Sequence, residues 1–170
     1  EGRMTLVELA QATMETSDNP AANLLLRRLG GPATVTALWR LMGDAVSRVD
    51  RMEPHMNLVP LGEERDTTTP EAMARMLERV ITTDLLKPAS RERLITWMVD
   101  TRTGLKRLRA GWPTNWRAGD KTGTGIAPGM AADFAVFDLA TVGSDVTGTM
   151  RRDLPGGGRR LVMTARGVEY

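Results

Sequence analysis

The sequence predicts an α+β fold in which helices come first and strands last. Two observations carry this expectation. Apolar residues recur at helical spacing from about residue 6 to residue 100, with cap and stop signals between the runs. Beyond Arg109 that period gives way to strand-like segments around Trp112, Trp116 and Lys121, and from Phe134 to Leu139. Runs of helix followed by runs of strand argue for α+β rather than alternating βα units. A chain of 170 residues is long enough for one domain with its own core.

Each element has a local reason. Thr5-x-x-Glu8 forms a capping box ahead of Leu6, Leu9, Ala10 and Thr13. Asn19-Pro20 reads as an N-cap with proline at the first helical position, and Leu24, Leu25, Leu26 and Leu29 fill the helix that Gly30-Gly31 ends. Pro32 opens a third helix, with Val35, Leu38, Trp39 and Met42 inward and Gly43 at its end. Thr69-Pro70-Glu71 opens a fourth, whose Met73, Met76, Leu77 and Val80 share a face, and Pro88 to Asp100 gives a fifth with Leu94, Ile95 and Met98. The methionines read as core filling. Residues 44–68 carry charges and prolines without a helical period, and a connection that long inside a compact domain is a functional loop or a disordered one. Arg159 to Ala165 is a weaker strand candidate, and residues 140–158, with Gly156-Gly157-Gly158, read as a loop or a poorly ordered tail.

Composition narrows the chemistry. Hydrophobic residues at 41% and charged ones at 26% suit a soluble globular domain, and a net charge of +2 with interleaved signs is no nucleic-acid footprint. Without cysteine there is no disulfide, thiolate metal site or cysteine nucleophile. One histidine, His55, leaves little scope for a metal centre or a Ser-His-Asp triad, so neither metal nor cofactor is expected. No apolar run is long enough to span a bilayer, and Glu1-Gly2-Arg3-Met4 is not a signal peptide.

Three segments carry candidate chemistry. Ser17-Asp18-Asn19 stands at a helix start, where its plain reading is a turn or cap. Lys121-Thr122-Gly123-Thr124 reads either as a surface strand or as a cleft wall. In the second case the lysine meets an anionic ligand and eases deprotonation of a nearby hydroxyl, and Gly123 lets backbone approach a ligand. Glu53-Pro54 is either a solvated turn or a carboxylate held near a water, with Asn57 four residues on.

Ser17-Asp18-Asn19 and Lys121-Thr122-Gly123, with Arg51-Met52-Glu53-Pro54-His55-Met56-Asn57 between them, resemble the Ser-Asp-Asn, Lys-Thr-Gly and Ω-loop motifs of class A β-lactamases. The register agrees: Glu53 lies 36 residues after Ser17 (17 to 53), and Lys121 lies 68 after Glu53 (53 to 121). The resemblance covers residues 1–137, with residues 138–170 a divergent, poorly ordered tail. It implies catalytic roles for Ser17 as proton relay, Glu53 as deacylation base and Lys121 as charge at the carboxylate site. Asn19, Asn57, Thr122, Gly123, Thr124 and Arg107 are implied substrate-binding residues. The Thr124 N–H is one oxyanion donor, worth roughly 2.7–4 kcal/mol, and Arg51 with Asp66 is the ion pair closing an Ω-loop over residues 51–66. The implied partner is a small-molecule β-lactam, with no nucleic acid and no membrane span. The implied protein is a periplasmic or secreted monomer.

The nucleophile motif of that family is missing. Ser17, Ser47, Ser90 and Ser144 are followed three residues on by Pro20, Asp50, Arg93 and Thr147, so no Ser-x-x-Lys is present. The expectation is therefore a C-terminal portion of such an enzyme, marginally stable and inactive alone, with the nucleophile and export signal upstream. The Arg- and Gly-rich stretch from Asp138 to Tyr170 suits a shifted reading frame. Two other classes remain open: a D,D-peptidase of the penicillin-binding type, which Glu53 and Asn57 argue against, and a non-catalytic relic of the fold.

Overall fold

The computed structural model describes residues 2–124, 131–137, 143–144, 149–151, 160–162 and 165–166, with side chains given for residues 2–123. Five helices come first: α1 (Leu6–Thr16), α2 (Asn19–Leu29), α3 (Pro32–Leu41), α4 (Pro70–Thr82) and α5 (Pro88–Val99). Strands β1 (Ala118–Thr124) and β2 (Ala131–Phe137) follow as an antiparallel pair, with Lys121 opposite Phe134 and Thr122 opposite Asp133. Short antiparallel pairs join β3 (Gly143–Ser144) to β6 (Ala165–Arg166) and β4 (Thr149–Arg151) to β5 (Arg160–Val162). The architecture is an incomplete α+β fold, helical first and antiparallel last. The strand expected at Arg159–Ala165 meets β5 and the start of β6, while most of the loop expected over 140–158 lies outside the described residues.

Helix starts follow local chemistry. Thr5 and Glu8 make the expected capping box, the Thr5 N–H donating to Glu8 Oε2 at 2.6 Å and the Glu8 N–H to Thr5 Oγ1 at 3.2 Å. Thr69 caps α4, whose first residue is Pro70. The cap of α2 is a correction: Asp18, not Asn19, is the N-cap, its Oδ1 accepting from the Ala21 N–H at 2.7 Å. Asn19 and Pro20 thus occupy the first two helical positions. A carboxylate there satisfies an orphan donor and complements the positive helix end.

Two other expectations fail. Trp112 and Trp116 do not lie in strands. A 3-10 turn spans Leu108–Gly111, and the Trp116 N–H closes a further turn onto the Pro113 carbonyl at 3.1 Å. Pro113 lacks a donor and fixes φ, which favours that turn over an extended ladder. Leu38, expected inward, is exposed, and α3 stops at Leu41 with Met42 as C-cap rather than running to Gly43. Buried apolar residues among those described are Ala21, Met42, Met76 and Met98, so methionine does fill the core. Leu24, Leu29 and Leu41 are exposed along with Leu38, leaving apolar helix surface without a covering layer.

Two links place the site. The carbonyl end of α1 is bound by the segment after α5: Thr101 Oγ1 donates to the Met14 carbonyl at 2.8 Å, and the Arg102 N–H to that of Glu15 at 2.8 Å. Gly119 of β1 packs on the end of α5 so closely that a Cβ there would sit 2.8 Å from the Met98 carbonyl carbon. Thus the α1–α2 junction and β1 are brought to the same end of α5.

Candidate active site

Ser17 fills the two-residue junction between α1 and α2. Its backbone is left-handed (φ 55°, ψ 43°), which ends α1 and lets Asp18 cap α2 at once. A non-glycine residue in that region is uncommon and is kept here by caps on both sides. The Lys121 ammonium crosses from β1 to donate to Ser17 Oγ at 2.5 Å, and it also donates to the Thr122 carbonyl at 2.8 Å. Two residues 104 positions apart in the chain therefore form one polar contact. His55 is exposed in the 3-10 turn His55–Asn57, and the Ser17 hydroxyl has the lysine as its partner.

The strand beyond Lys121 is held from its other side. Thr122 and Thr103 share a hydroxyl–hydroxyl hydrogen bond of 2.8 Å, and Arg107 Nη1 donates to the Gly123 carbonyl at 3.3 Å. Arg107 thus reaches the Lys-Thr-Gly strand through backbone. Below them the Asp120 carboxylate is buried and pairs with the Arg109 guanidinium, which also donates to the carbonyls of Val99 at 2.7 Å and Met98 at 2.5 Å. Thr124 ends β1 opposite Ala131. Its side chain lies outside the description.

Glu53 stands on a loop whose neck is bound rung by rung. Ser47 and Thr68 hydroxyls meet at 2.6 Å, and the Arg48 N–H donates to the Thr67 carbonyl at 3.0 Å. Asp66, in left-handed backbone (φ 58°), accepts the N–H groups of Asp50 at 2.6 Å and Arg51 at 2.9 Å. Its other oxygen takes the Arg51 guanidinium at 2.5 Å, so the expected pair of Arg51 and Asp66 is formed. The Arg48 guanidinium on Asp50 holds that carboxyl down at about 2, aided by the Asp66 N–H against the opposing effect of burial. Arg65 does the same to Glu63, also lowered to about 2.

Within the loop, Glu53–Pro54 is a cis peptide, and the 3-10 turn that follows brings Asn57 Nδ2 to Glu53 Oε2 at 2.5 Å. Asn23 of α2 clasps the Glu53 backbone from below: its Nδ2 donates to the Glu53 carbonyl, and its Oδ1 accepts the Glu53 N–H, both at 2.9 Å. Asn19 and Asn23 stand four apart on α2 and so share a face. Helix α2 therefore carries Ser17 at its entry, exposed Asn19 on its first turn and Glu53 docked one turn on. A cavity of about 600 Å³ between the end of α3 and α4 includes none of these residues.

Sequence reasoning missed Asn23, Thr103 and the Arg109–Asp120 pair. Asn23 had a faint signal, an amide set between the apolar residues Ala22 and Leu24 of α2. The others had none, because each acts only across a tertiary contact.

Helices, a bound loop and one Lys-Thr-Gly strand pair assembled in this way are the arrangement of a class A β-lactamase. The model of the β-lactamase enzyme family matches residues 1–152, and the chain belongs to that family. It is 53% identical over 121 residues to β-lactamase L2 of Stenotrophomonas maltophilia, covering 71% of this chain and 40% of that protein. A β-lactamase of Mycobacterium tuberculosis is 46% identical over 159 residues, 91% of this chain and 51% of that one. Among solved structures, an ancestral class A β-lactamase superposes with a TM-score of 0.77 at 48% identity, over 95% of this chain and 56% of its own. A β-lactamase from Streptosporangium roseum gives 0.78 at 46%, over 81% and 51%. The chain thus spans about half the length of the relatives it matches. No helix among the described residues is long and apolar enough to cross a membrane.

Proposed function

We propose that this chain supplies the proton-relay, carboxylate-binding and water-activating parts of an enzyme that opens β-lactams through a serine acyl-enzyme. The observation that carries the reading is the Lys121–Ser17 contact, set at the entry to the helix that docks Glu53. A β-lactam carries a carboxylate beside its ring nitrogen. The Lys121 ammonium and the Thr122 hydroxyl are the groups to receive it, with Arg107 close by. When the ring C–N bond breaks, the nitrogen needs a proton. Ser17 Oγ–H gives it and is resupplied from Lys121 Nζ. Breakdown of the ester needs a water made nucleophilic. Asn57 donates its amide to one Glu53 oxygen, leaving its own carbonyl oxygen and the second carboxylate oxygen to take hydrogens from that water. On this reading Asn19, exposed on the same helix face, takes the substrate's side-chain amide, and the Thr124 N–H is the oxyanion donor.

None of the chain's serines has a lysine three residues on, so on this reading no serine of these 170 residues is the attacking residue. Purified residues 1–170 therefore give no nitrocefin turnover. The same chain joined to a class A N-terminal segment carrying Ser-x-x-Lys turns nitrocefin over. In that longer protein Glu53→Gln lowers turnover by roughly 10²–10⁴-fold and leaves an acyl adduct visible by intact-mass measurement. Unchanged turnover in Glu53→Gln, with no adduct, refutes the assignment of Glu53. Slow trapping without turnover in the unaltered longer protein marks a D,D-peptidase instead. The reading also places the protein in the periplasm or outside the cell as a monomer, which fractionation and size-exclusion measurements check.

A further inference from the structure

Asp120 precedes Lys121 on β1 and is 1% exposed, with Arg109 as its cation. A buried carboxylate is tolerated only when paired, and this one is paired to a guanidinium that also holds the last carbonyls of α5. The fit has no slack: a Cβ on Gly104 would lie 1.7 Å from Asp120 Oδ2. Side chains alternate along a strand, so Asp120 faces the 101–109 segment, where Arg109 and Gly104 meet it, while Lys121 faces Ser17. The carboxylate and the ammonium are thus separated by one thin strand, and burial of Asp120 leaves its charge weakly screened.

We propose that the Arg109–Asp120 pair sets how strongly Lys121 binds an anion. Asp120 favours the charged form of Lys121, and Arg109 cancels enough of the Asp120 charge that an incoming carboxylate is not repelled. This inference deepens the function proposed above and rests on its assignment of Lys121 to a substrate carboxylate. Asp120 and Arg109 touch no substrate; they act through Lys121.

The chain has three lysines, Lys87, Lys106 and Lys121, so ¹³Cε-lysine NMR resolves the third once Lys87→Arg and Lys106→Arg assign the others. Benzylpenicillin and its methyl ester are titrated into the full chain while the Lys121 signal is followed. In Asp120→Asn, which keeps an acceptor for Arg109, penicillin binds about tenfold more tightly and the ligand-free Lys121 midpoint falls by about one pH unit. The ester is unaffected. Arg109→Met moves both quantities the other way, and the double variant returns them close to the unaltered chain. Other charged residues on the surrounding elements are Glu15 and Asp18 near Ser17, Arg91, Glu92 and Arg93 on α5 with Asp100 at its C-cap, Arg102, Lys106 and Arg107 in the 101–109 segment, Arg117 before β1, and Asp133 on β2, none of them altered by Asp120→Asn or Arg109→Met. A pair that only holds shape would weaken binding in both single variants and would not be rescued in the double, which overturns the proposal. Should Arg109→Met not fold, the sign of the Asp120→Asn effects decides alone. If the unaltered chain treats acid and ester alike, the carboxylate assignment of Lys121 fails. The ligand-free midpoint still judges this inference, since a midpoint unmoved in Asp120→Asn overturns it.

Discussion

Asn23→Ala releases Glu53 while leaving every candidate catalytic side chain in place, and its cost follows from the geometry. Two hydrogen bonds of 2.9 Å are lost, from Asn23 Nδ2 to the Glu53 carbonyl and from the Glu53 N–H to Asn23 Oδ1. Each is worth about 0.5–1.5 kcal/mol net, so the pair contributes about 2 kcal/mol. Alanine returns about 0.6 kcal/mol through its better helix propensity at this position in α2. A net loss of about 1.5 kcal/mol remains, which for a chain of this size lowers Tm by about 3–6 °C. The loss is local in origin, so hydrogen exchange at the Glu53 amide quickens more than exchange in α4 or α5. Asn23→Asp separates the two bonds: its carboxylate still accepts the Glu53 N–H but sets a negative charge against the Glu53 carbonyl. It therefore loses at least as much stability as alanine while protecting the Glu53 amide better. Calorimetry with amide-resolved exchange reads both. An Asn23→Ala chain with unchanged Tm and unchanged exchange at Glu53 refutes the clasp.

Three further expectations can be checked on the same material. Asp66→Ala strips a nearly buried carboxylate from Arg51 and loses about 3–5 kcal/mol in urea unfolding. Asp66→Asn keeps an acceptor and tolerates the left-handed backbone, so it loses less; equal losses would show that neither conformation nor hydrogen bonding matters there. Gly104→Ala drives a methyl into Asp120 and loses about 1–3 kcal/mol or more, whereas Gly111→Ala, with nothing within 4 Å of its added Cβ, is neutral. Matching losses at both positions would sink that account. Asp50 has its folded pKa lowered to about 2, so its contribution to stability is full above the ordinary carboxylate range near pH 4 and is lost as pH falls toward 2. Arg48→Met raises the Asp50 midpoint in carbonyl ¹³C NMR and moves that loss to higher pH. A midpoint unchanged by the substitution would remove Arg48 as the cause.

Legibility in the sequence tracked the distance over which each feature is decided. The capping box of Thr5 and Glu8 and the Thr69-Pro70 helix start are settled within four residues, and both formed as read. Asn19-Pro20 misled by one position because Asp18 beside it is an equally good cap, and a side-chain oxygen preceding two helical residues catches the Ala21 N–H. Trp112 and Trp116 suggested strand through aromatic content, but Pro113 between them outweighs that tendency. Leu38 obeys the helical period and still faces out, since periodicity names a stripe without saying whether anything covers it. Motif and register singled out Ser17, Glu53, Asn57 and Lys121 as candidates, and the fold brings Lys121 to Ser17 and Asn57 to Glu53. Their supports were not legible in this way. Asn23 acts across 30 residues and Thr103 across 19, and no local pattern marks such partners.

The two sides of the site are held by unlike means. Ser17 is fixed by the ends of two helices: its left-handed backbone closes α1, the next residue caps α2, and the α1 carbonyls are bound by Thr101 and Arg102. Moving Ser17 requires moving helices. Glu53 instead stands on a loop with no regular structure beyond one 3-10 turn, anchored by ion pairs at its neck and by the Asn23 clasp. A proton relay gains from rigidity, because its donor must meet one atom of a bound ligand. A base of the kind proposed for Glu53 needs room for water to enter and for the hydrolysed product to leave, and a loop tethered at a few points provides it. Lys121 joins the rigid side, since β1 is wedged between α5 and the 101–109 segment with no space for a Cβ on Gly104 or Gly119. The proposed relay and its lysine thus belong to the packed body of the chain, and the carboxylate proposed to activate water to a loop tethered at a few points.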